Sequence, residues 1–292
     1  MNSPNKAHRE ATRANDASVP AELQAKYARL IELIGREERA LVAFSGGIDS
    51  TFVLKAALDA LGKARVLAIT AVSAAVPQRE RAEAERIARE LGATHRFVDS
   101  NEIERPGYVA IGVDRCFHCK SELYSILSHV SQSEGWSFVA NGANTDDQGD
   151  HRPGMQAAAD ASVRSPLIET EFSKNEIRAM AKELGLRIWD KPASPCLSSR
   201  IPYNSPVTPK KLSQVEAAEE CLRGFGLREF RVRHHDRIAR IELRVEEMPL
   251  LLQPDVREAV VRELRAIGFL YVSLDLGGFQ SGSLNRVIPD NS

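Results

Sequence analysis

Residues 40–61 read ALVAFSGGIDSTFVLKAALDAL. A short apolar run, Ala40 to Phe44, ends in the turn Ser45-Gly46-Gly47, and apolar residues return at helical spacing from Thr51 to Leu61. This predicts strand, glycine loop and helix. The two glycines let the backbone approach an anion closely, the helix aims its first N–H groups at it, and Ser45, Ser50 and Thr51 add hydroxyl donors. The loop lacks the Gly-Lys-Ser/Thr ending of a Walker motif, so it is not read as a grip on a γ-phosphate. Asp49 would repel a bare phosphate but can help to hold Mg²⁺ bound to one. The plainer alternative is an N-capped turn between strand and helix.

The alternation continues on both sides of the loop. Leu23, Tyr27, Leu30, Ile31 and Ile34 mark a helix that stops at Gly35. Downstream, strands are expected at Val66 to Val72, Thr94 to Asp99 and Phe138 to Asn141, with helices over Arg79 to Leu91, from after Cys119 to Val130, and over Lys174 to Leu184. Strands alternating with helices predict an α/β fold, a parallel sheet with helices on both faces, whose ligand crevice lies beyond the carboxyl ends of the strands. The loop at Ser45 and the loop GANTDDQGD after the strand at Phe138 then face one site. Five prolines between Lys191 and Lys210 change the texture. Beyond them a helix (Leu212 to Leu222), two strands (Glu229 to His234, Ile238 to Val245), a helix (Pro254 to Ile267) and a strand (Phe269 to Leu274) predict a smaller α+β domain. The expected organisation is a disordered start (1–20), a nucleotide domain (21–190), a proline-rich active-site loop and linker (191–210), and a substrate-binding and oligomerisation domain (211–292).

The composition is that of an ordinary globular protein, 43% hydrophobic and 27% charged, with 39 Lys+Arg against 40 Asp+Glu. A formal charge of -1 lacks the basic excess of proteins that coat nucleic acid. The polar start offers no secretory core, and nowhere do about 18 uncharged apolar residues run together. A cytoplasmic protein with neither membrane nor nucleic acid as partner is expected. In a reducing compartment the four cysteines read as thiols or metal ligands. Cys116 and Cys119 form a C-x-x-C, Cys196 stands alone, and Cys221 shares a helical apolar face with Val215, Ala218 and Phe225, which predicts burial.

SGGIDS resembles the pyrophosphate loop of the ATP pyrophosphatases of the adenine nucleotide α-hydrolase superfamily. Its members cleave ATP between the α and β phosphates, adenylate an oxygen of a substrate and let a nucleophile displace AMP. The resemblance implies ATP and Mg²⁺ as cofactors, with Ser45, Gly46, Gly47, Asp49, Ser50 and Thr51 at the phosphates. It also implies adenine near Ala68 to Thr70, Gly142 and Asn144 along the nucleotide, and Asp147 with Asp49 at the metal. A GxN-DD run is also ordinary turn chemistry. RCFHCK (115–120), PASPCLSSR (192–200), FRVRHHDRIARIEL (230–243) and DLGGFQSGSLN (275–285) follow the loop in an order that resembles the LarE family of ATP-dependent sulfur transferases, which make the nickel-pincer nucleotide cofactor.

That resemblance implies adenylation of a pyridinium dicarboxylate mononucleotide, a small-molecule substrate, by a homo-oligomer. A carboxylate is a poor electrophile until AMP becomes its leaving group, after which a thiolate can attack the acyl carbon. Cys196 is the implied nucleophile, with Arg200 or a lysine nearby favouring its thiolate. Where such enzymes use the cysteine's own sulfur, C–S cleavage leaves a thiocarboxylate and dehydroalanine, a single turnover. LarE-like proteins with three cysteines hold a 4Fe-4S cluster instead, which here would use Cys116, Cys119 and Cys196. Structural zinc with His118 or His129 is the competing metal reading.

In FRVRHH, Phe230, Val232 and His234 alternate with Arg231, Arg233 and His235. Two arginines on one strand face suit a phosphate, and the resemblance places Arg231 and Arg233, with Arg200, at the phosphate of the mononucleotide. A solvated edge strand with surface histidines is the alternative. Glu220 and Glu242 read either as metal ligands near the substrate or as water-facing carboxylates. Two further functions share the loop: a tRNA thiolase, and a regulatory module that holds an adenine nucleotide without cleaving it.

Overall fold

Period-two alternation in the first strand sets the layers. β1 (Ala40–Ala43) turns Ala40 and Val42 into one apolar core and Leu41 into another on the opposite face. It pairs on one side with β2 (Val66–Val72) and on the other with β4 (Phe138–Ala140), and β2 pairs with β3 (Thr94–Asp99). All pairings are parallel, in the order β3-β2-β1-β4. The computed structural model describes residues 19–104, 115–148, 153–192 and 194–280. The start expected to be disordered (1–20) lies outside these but for Val19 and Pro20, as does the end of DLGGFQSGSLN.

Helices cover both faces, as an α/β parallel sheet requires. α1 (Ala21–Gly35), α2 (Ile48–Leu61) and α3 (Gln78–Leu91) bury Leu30, Phe52 and Ile87 against the Val42 face. α4 (Arg115–Glu134) and α5 (Pro153–Asp160) bury Leu127 and Ala157 against Leu41 on the other. The chain then returns through α6 (Pro166–Glu169) and α7 (Lys174–Glu183) to the first face.

α8 (Pro209–Gly224) opens the second layer system. β5 (Phe230–His235) runs antiparallel to β6 (Ile238–Leu243), which runs parallel to β7 (Tyr271–Leu274), in the order β5-β6-β7. The short α9 (Met248–Leu251) and α10 (Pro254–Ile267) precede β7. Leu222 of α8 and Leu264 of α10 close a core over Val232 and Ile241. Cys221 packs at its edge and is half-buried, short of the full burial its helical spacing predicts.

Several elements differ from the sequence reading. α4 starts at Arg115, before the C-x-x-C rather than after it, because nothing in RCFHCK breaks a helix; the two cysteines stand one turn apart on one face. Part of the expected active-site loop and linker (191–210) is folded and packed. Leu197–Arg200 form a 3₁₀ turn, and Leu197, Ile201 and Val207 pack with Ala75 of the first sheet's loops and with Leu212 and Val215 of α8. Pro209 begins α8 as its first residue, with Thr208 as cap, so this proline starts a helix instead of excluding one. His234 is buried, bonded through Nε2 to Gln214 Oε1 at 3.1 Å, and is not a surface group.

Candidate functional site

The loops after β1, β2, β3 and β4 open on one edge of the parallel sheet, as expected for this topology. Gly46 has φ of +71° and lies so close to α3 that a Cβ would stand 2.9 Å from Ala84 Cα, so only glycine fits. Ser45 Oγ and Ser50 Oγ are 3.1 Å apart, and Gly47 N donates to Ser45 Oγ at 3.3 Å. Thr51 is buried and spends its hydroxyl on Gly47 O at 2.8 Å, so it holds the loop rather than facing outward.

Gly142 brings the loop after β4 against this turn. Its Cα approaches so closely that a Cβ would meet Ser50 N at 2.7 Å. Backbone cannot yield there cheaply, so Gly142→Ala is expected to lose about 1–3 kcal/mol of stability and to weaken AMP binding, measured by thermal unfolding and titration calorimetry. Buried Asn144 accepts from Asp146 N at 3.1 Å, and Asp147 Oδ2 accepts from Asn144 N at 3.0 Å, a reciprocal cap that fixes the loop.

Asp49 Oδ2 pairs with Lys174 Nζ, while its buried Oδ1 has no hydrogen-bond partner among the described residues. An orphaned carboxylate oxygen beside a phosphate loop suits Mg²⁺, a hard cation. Ala68 is fully buried mid-strand, and Thr70 Oγ1 donates to Phe44 O at 2.6 Å. Because β2 runs on to Val72, its carboxyl end is Ala71 to Ser73.

The three cysteines come together through an arginine that composition could not single out. Arg115 Nη1, at the start of α4, donates to Ser198 O at 2.8 Å and clamps the Leu197–Arg200 turn to the C-x-x-C helix. Burial, with Cys196 and then buried Glu102 nearby, pushes the Cys119 thiol up to about 12. Cys116 and Cys196 are exposed, and all three thiols lie within electrostatic reach of Lys120. Among the described residues no group of three or more His, Cys, Asp or Glu is arranged to hold a metal ion. The soft donor set suits an iron–sulfur cluster, but its ligands are not drawn into one shell.

The Cys196 turn is also held from the second sheet. Arg200 Nη1 donates to Pro195 O at 2.6 Å and to Cys196 O at 3.0 Å, while Nε and Nη2 fork onto Glu219 at 2.8 and 3.0 Å. Arg233 Nη1 donates to Ser199 O at 2.8 Å, and its Nη2 pairs with Glu242 at 2.7 Å. Arg200 and Arg233 are therefore buried and counter-charged. Arg231 has no carboxylate partner of that kind among the described residues: it lies 5.0 Å from the Phe279 ring, and burial with Arg200 and Arg233 nearby pushes its guanidinium down to about 10. Far from a solvated edge, β5 is covered. Glu242 faces Arg233 and Arg240 rather than water, whereas Glu220 on α8 is exposed.

Residues 31–109 match the NAD synthase family. An uncharacterised protein of Synechocystis is 45% identical over 91% of this chain and 99% of its own length. An uncharacterised protein of Methanocaldococcus jannaschii is 28% identical over 58% of the chain and 65% of its own length. The pyridinium-3,5-bisthiocarboxylic acid mononucleotide synthase of Lactiplantibacillus plantarum is 41% identical over 92% of the chain and 96% of its own length. With a loop of the pyrophosphate type after β1 and that degree of identity over nearly the whole of both proteins, the chain belongs to the LarE family.

Proposed function

We propose that the protein is an ATP-dependent sulfurtransferase that adenylates a carboxylate of a pyridinium dicarboxylate mononucleotide and converts it to a thiocarboxylate. The observation that carries this reading is the placement of Cys196. Its turn is tied to the nucleotide side through Leu197 N to Ala75 O at 2.8 Å and to the arginine strand through Arg233 and Ser199 O. The exposed Cys196 thiol thus lies on a turn bonded on one side to the loop after β2 and on the other to Arg233 of β5, which supports a role between nucleotide and substrate.

Residues 21–190 would bind Mg-ATP, 191–210 carry the sulfur chemistry and 211–292 bind substrate in a homo-oligomer. Ser45, Gly46, Gly47 and Ser50 line the phosphates, and Asp49 Oδ1, with Asp147, would hold Mg²⁺, which offsets charge on them. Arg231 leads the grip on the substrate phosphate, with Arg200 and Arg233 fixing the turn behind it. The acyl carbon accepts the Cys196 sulfur and AMP departs with the bonding electron pair. Breaking Cβ–S then leaves the sulfur on substrate and an alkene on the protein, the Cα proton going to solvent. The nearness of Cys116 and Cys119 favours a second sulfur source. A 4Fe-4S cluster held by the three thiolates would supply an exchangeable sulfide, and the protein's part is then to keep that side accessible while Cys119 packs beneath.

Incubation with ATP, Mg²⁺ and the dicarboxylate mononucleotide is expected to release AMP and pyrophosphate together with thiocarboxylate. Use of the protein's own sulfur removes about 34 Da, one H₂S, from its intact mass. Unchanged mass with continued turnover assigns the sulfur to the cluster. Absence of pyrophosphate release under these conditions would instead support the nucleotide-holding module, and salt-sensitive tRNA binding would support the thiolase.

A further inference from the structure

The turn Ser45–Thr51 offers an anion backbone N–H groups and hydroxyls but contains no cationic side chain. When the α-phosphorus to bridging-oxygen bond breaks, the electron pair leaves with pyrophosphate, and positive charge beside it lowers the barrier. Two lysines distant in sequence reach the loop. Lys174 is committed to Asp49 on the metal side. Lys191, the first residue of KPASPC, lies elsewhere: its Nζ donates to Gly46 O at 3.3 Å and to Glu80 Oε2 at 2.8 Å. Glu80 is buried on the first turn of α3, the helix against which Gly46 lies flat, so the ammonium is pinned at the loop backbone.

An ammonium has three donors. Gly46 and Glu80 take two of them among the described residues, which leaves one N–H beside the loop.

We propose that Lys191 binds the β and γ phosphates of ATP and the departing pyrophosphate, with Glu80 as its positioning partner. The inference rests on the reading of Ser45–Thr51 as a nucleotide loop. It gives the residues before Cys196 a second role, because the segment that presents the thiol also supplies the cation for the leaving group. Adenylation chemistry and sulfur chemistry then share one anchor. Glu80 holds the lysine to one side of the loop, and its single charge is outweighed once the more highly charged pyrophosphate arrives.

Calorimetric titration of the full-length protein with inorganic pyrophosphate and, separately, with AMP, both with Mg²⁺, tests this. Lys191→Gln is expected to weaken pyrophosphate binding roughly 10- to 100-fold, the size of one charge-assisted hydrogen bond, and to change AMP binding less than about twofold. Lys191→Arg should recover most of the pyrophosphate affinity, and Glu80→Gln, which keeps the cation but frees it, should lose less than Lys191→Gln. Equal losses for both ligands mark a merely structural lysine and overturn the proposal, as does undiminished pyrophosphate binding. A wild-type protein that binds neither ligand overturns the nucleotide reading itself; one that binds both, with Lys191→Gln unchanged, overturns only the role of Lys191.

Discussion

Cys196→Ala is expected to form the acyl-adenylate and pyrophosphate from ATP and the dicarboxylate substrate yet to make at least about a thousandfold less thiocarboxylate. Adenylation needs the loop at Ser45–Thr51, the metal and the substrate carboxylate, none of which requires the thiol. The next step requires a sulfur atom where AMP departs. Cys196 is exposed, in a turn fixed by Arg115, Arg200 and Arg233. Cys119 packs against the apolar cluster around Leu197, and burial raises its thiol pKa. The turn is held by its backbone carbonyls and not by the exposed Cys196 side chain, so truncation there leaves the fold intact. ATP–pyrophosphate exchange within a few-fold of wild type, with thiocarboxylate absent by mass spectrometry, is the expected pair of results. Thiocarboxylate formation by Cys196→Ala at an undiminished rate would remove this residue from the chemistry. Cys221→Ala is the control: that thiol packs at the edge of the C-terminal core, and sulfur transfer should be unaffected.

Much of this arrangement is local and therefore legible in sequence. The apolar run at Ala40, the turn at Gly46 and the period of α2 specify strand, loop and helix without reference to the rest of the chain. The α/β alternation then fixes which ends of the strands share a crevice. α5 is harder to read because its Ala-rich stretch follows directly on the polar sequence 144–152, with Pro153 as a start signal. What local pattern cannot carry is pairing between charges far apart. Lys174 meets Asp49 across 125 residues, Lys191 meets Glu80 across 111, and Arg115 reaches Ser198 across 83. Each looks like an ordinary surface charge on its own helix or loop. For the same reason Arg200 and Arg233 read as free cations, although burial beside Glu219 and Glu242 makes them braces of the thiol turn. Arginine alternation along FRVRHH reveals that one strand is basic; only β6 and α8 decide which guanidinium is met by a carboxylate.

That distinction governs what removal of a counter-charge does. Glu219→Ala is expected to destabilise the protein by about 3–5 kcal/mol, because it leaves the guanidinium of Arg200 buried without its partner. Arg200 and Glu219 side chains are 4% and 8% exposed, joined by two hydrogen bonds, and Glu219 Oε1 also accepts from Val232 N at 3.2 Å. The loss should appear as a fall in the thermal midpoint on the order of 10 °C. Replacing both partners, Arg200→Met with Glu219→Leu, should recover much of that stability, since an apolar pair of similar size avoids the desolvation of two charges. It should not recover sulfur transfer. Arg200 is the group that holds the carbonyls of Pro195 and Cys196, and no methionine can donate to them. The double variant is therefore expected to fold, to retain ATP–pyrophosphate exchange, and to transfer sulfur poorly. If it transfers sulfur at the wild-type rate, the pair serves stability alone and the position of Cys196 is set by Arg115 and Arg233. If Glu219→Ala leaves the midpoint unchanged, the site relaxes to admit water around Arg200, and the ion pair does not hold the α8–β5 unit to the thiol turn.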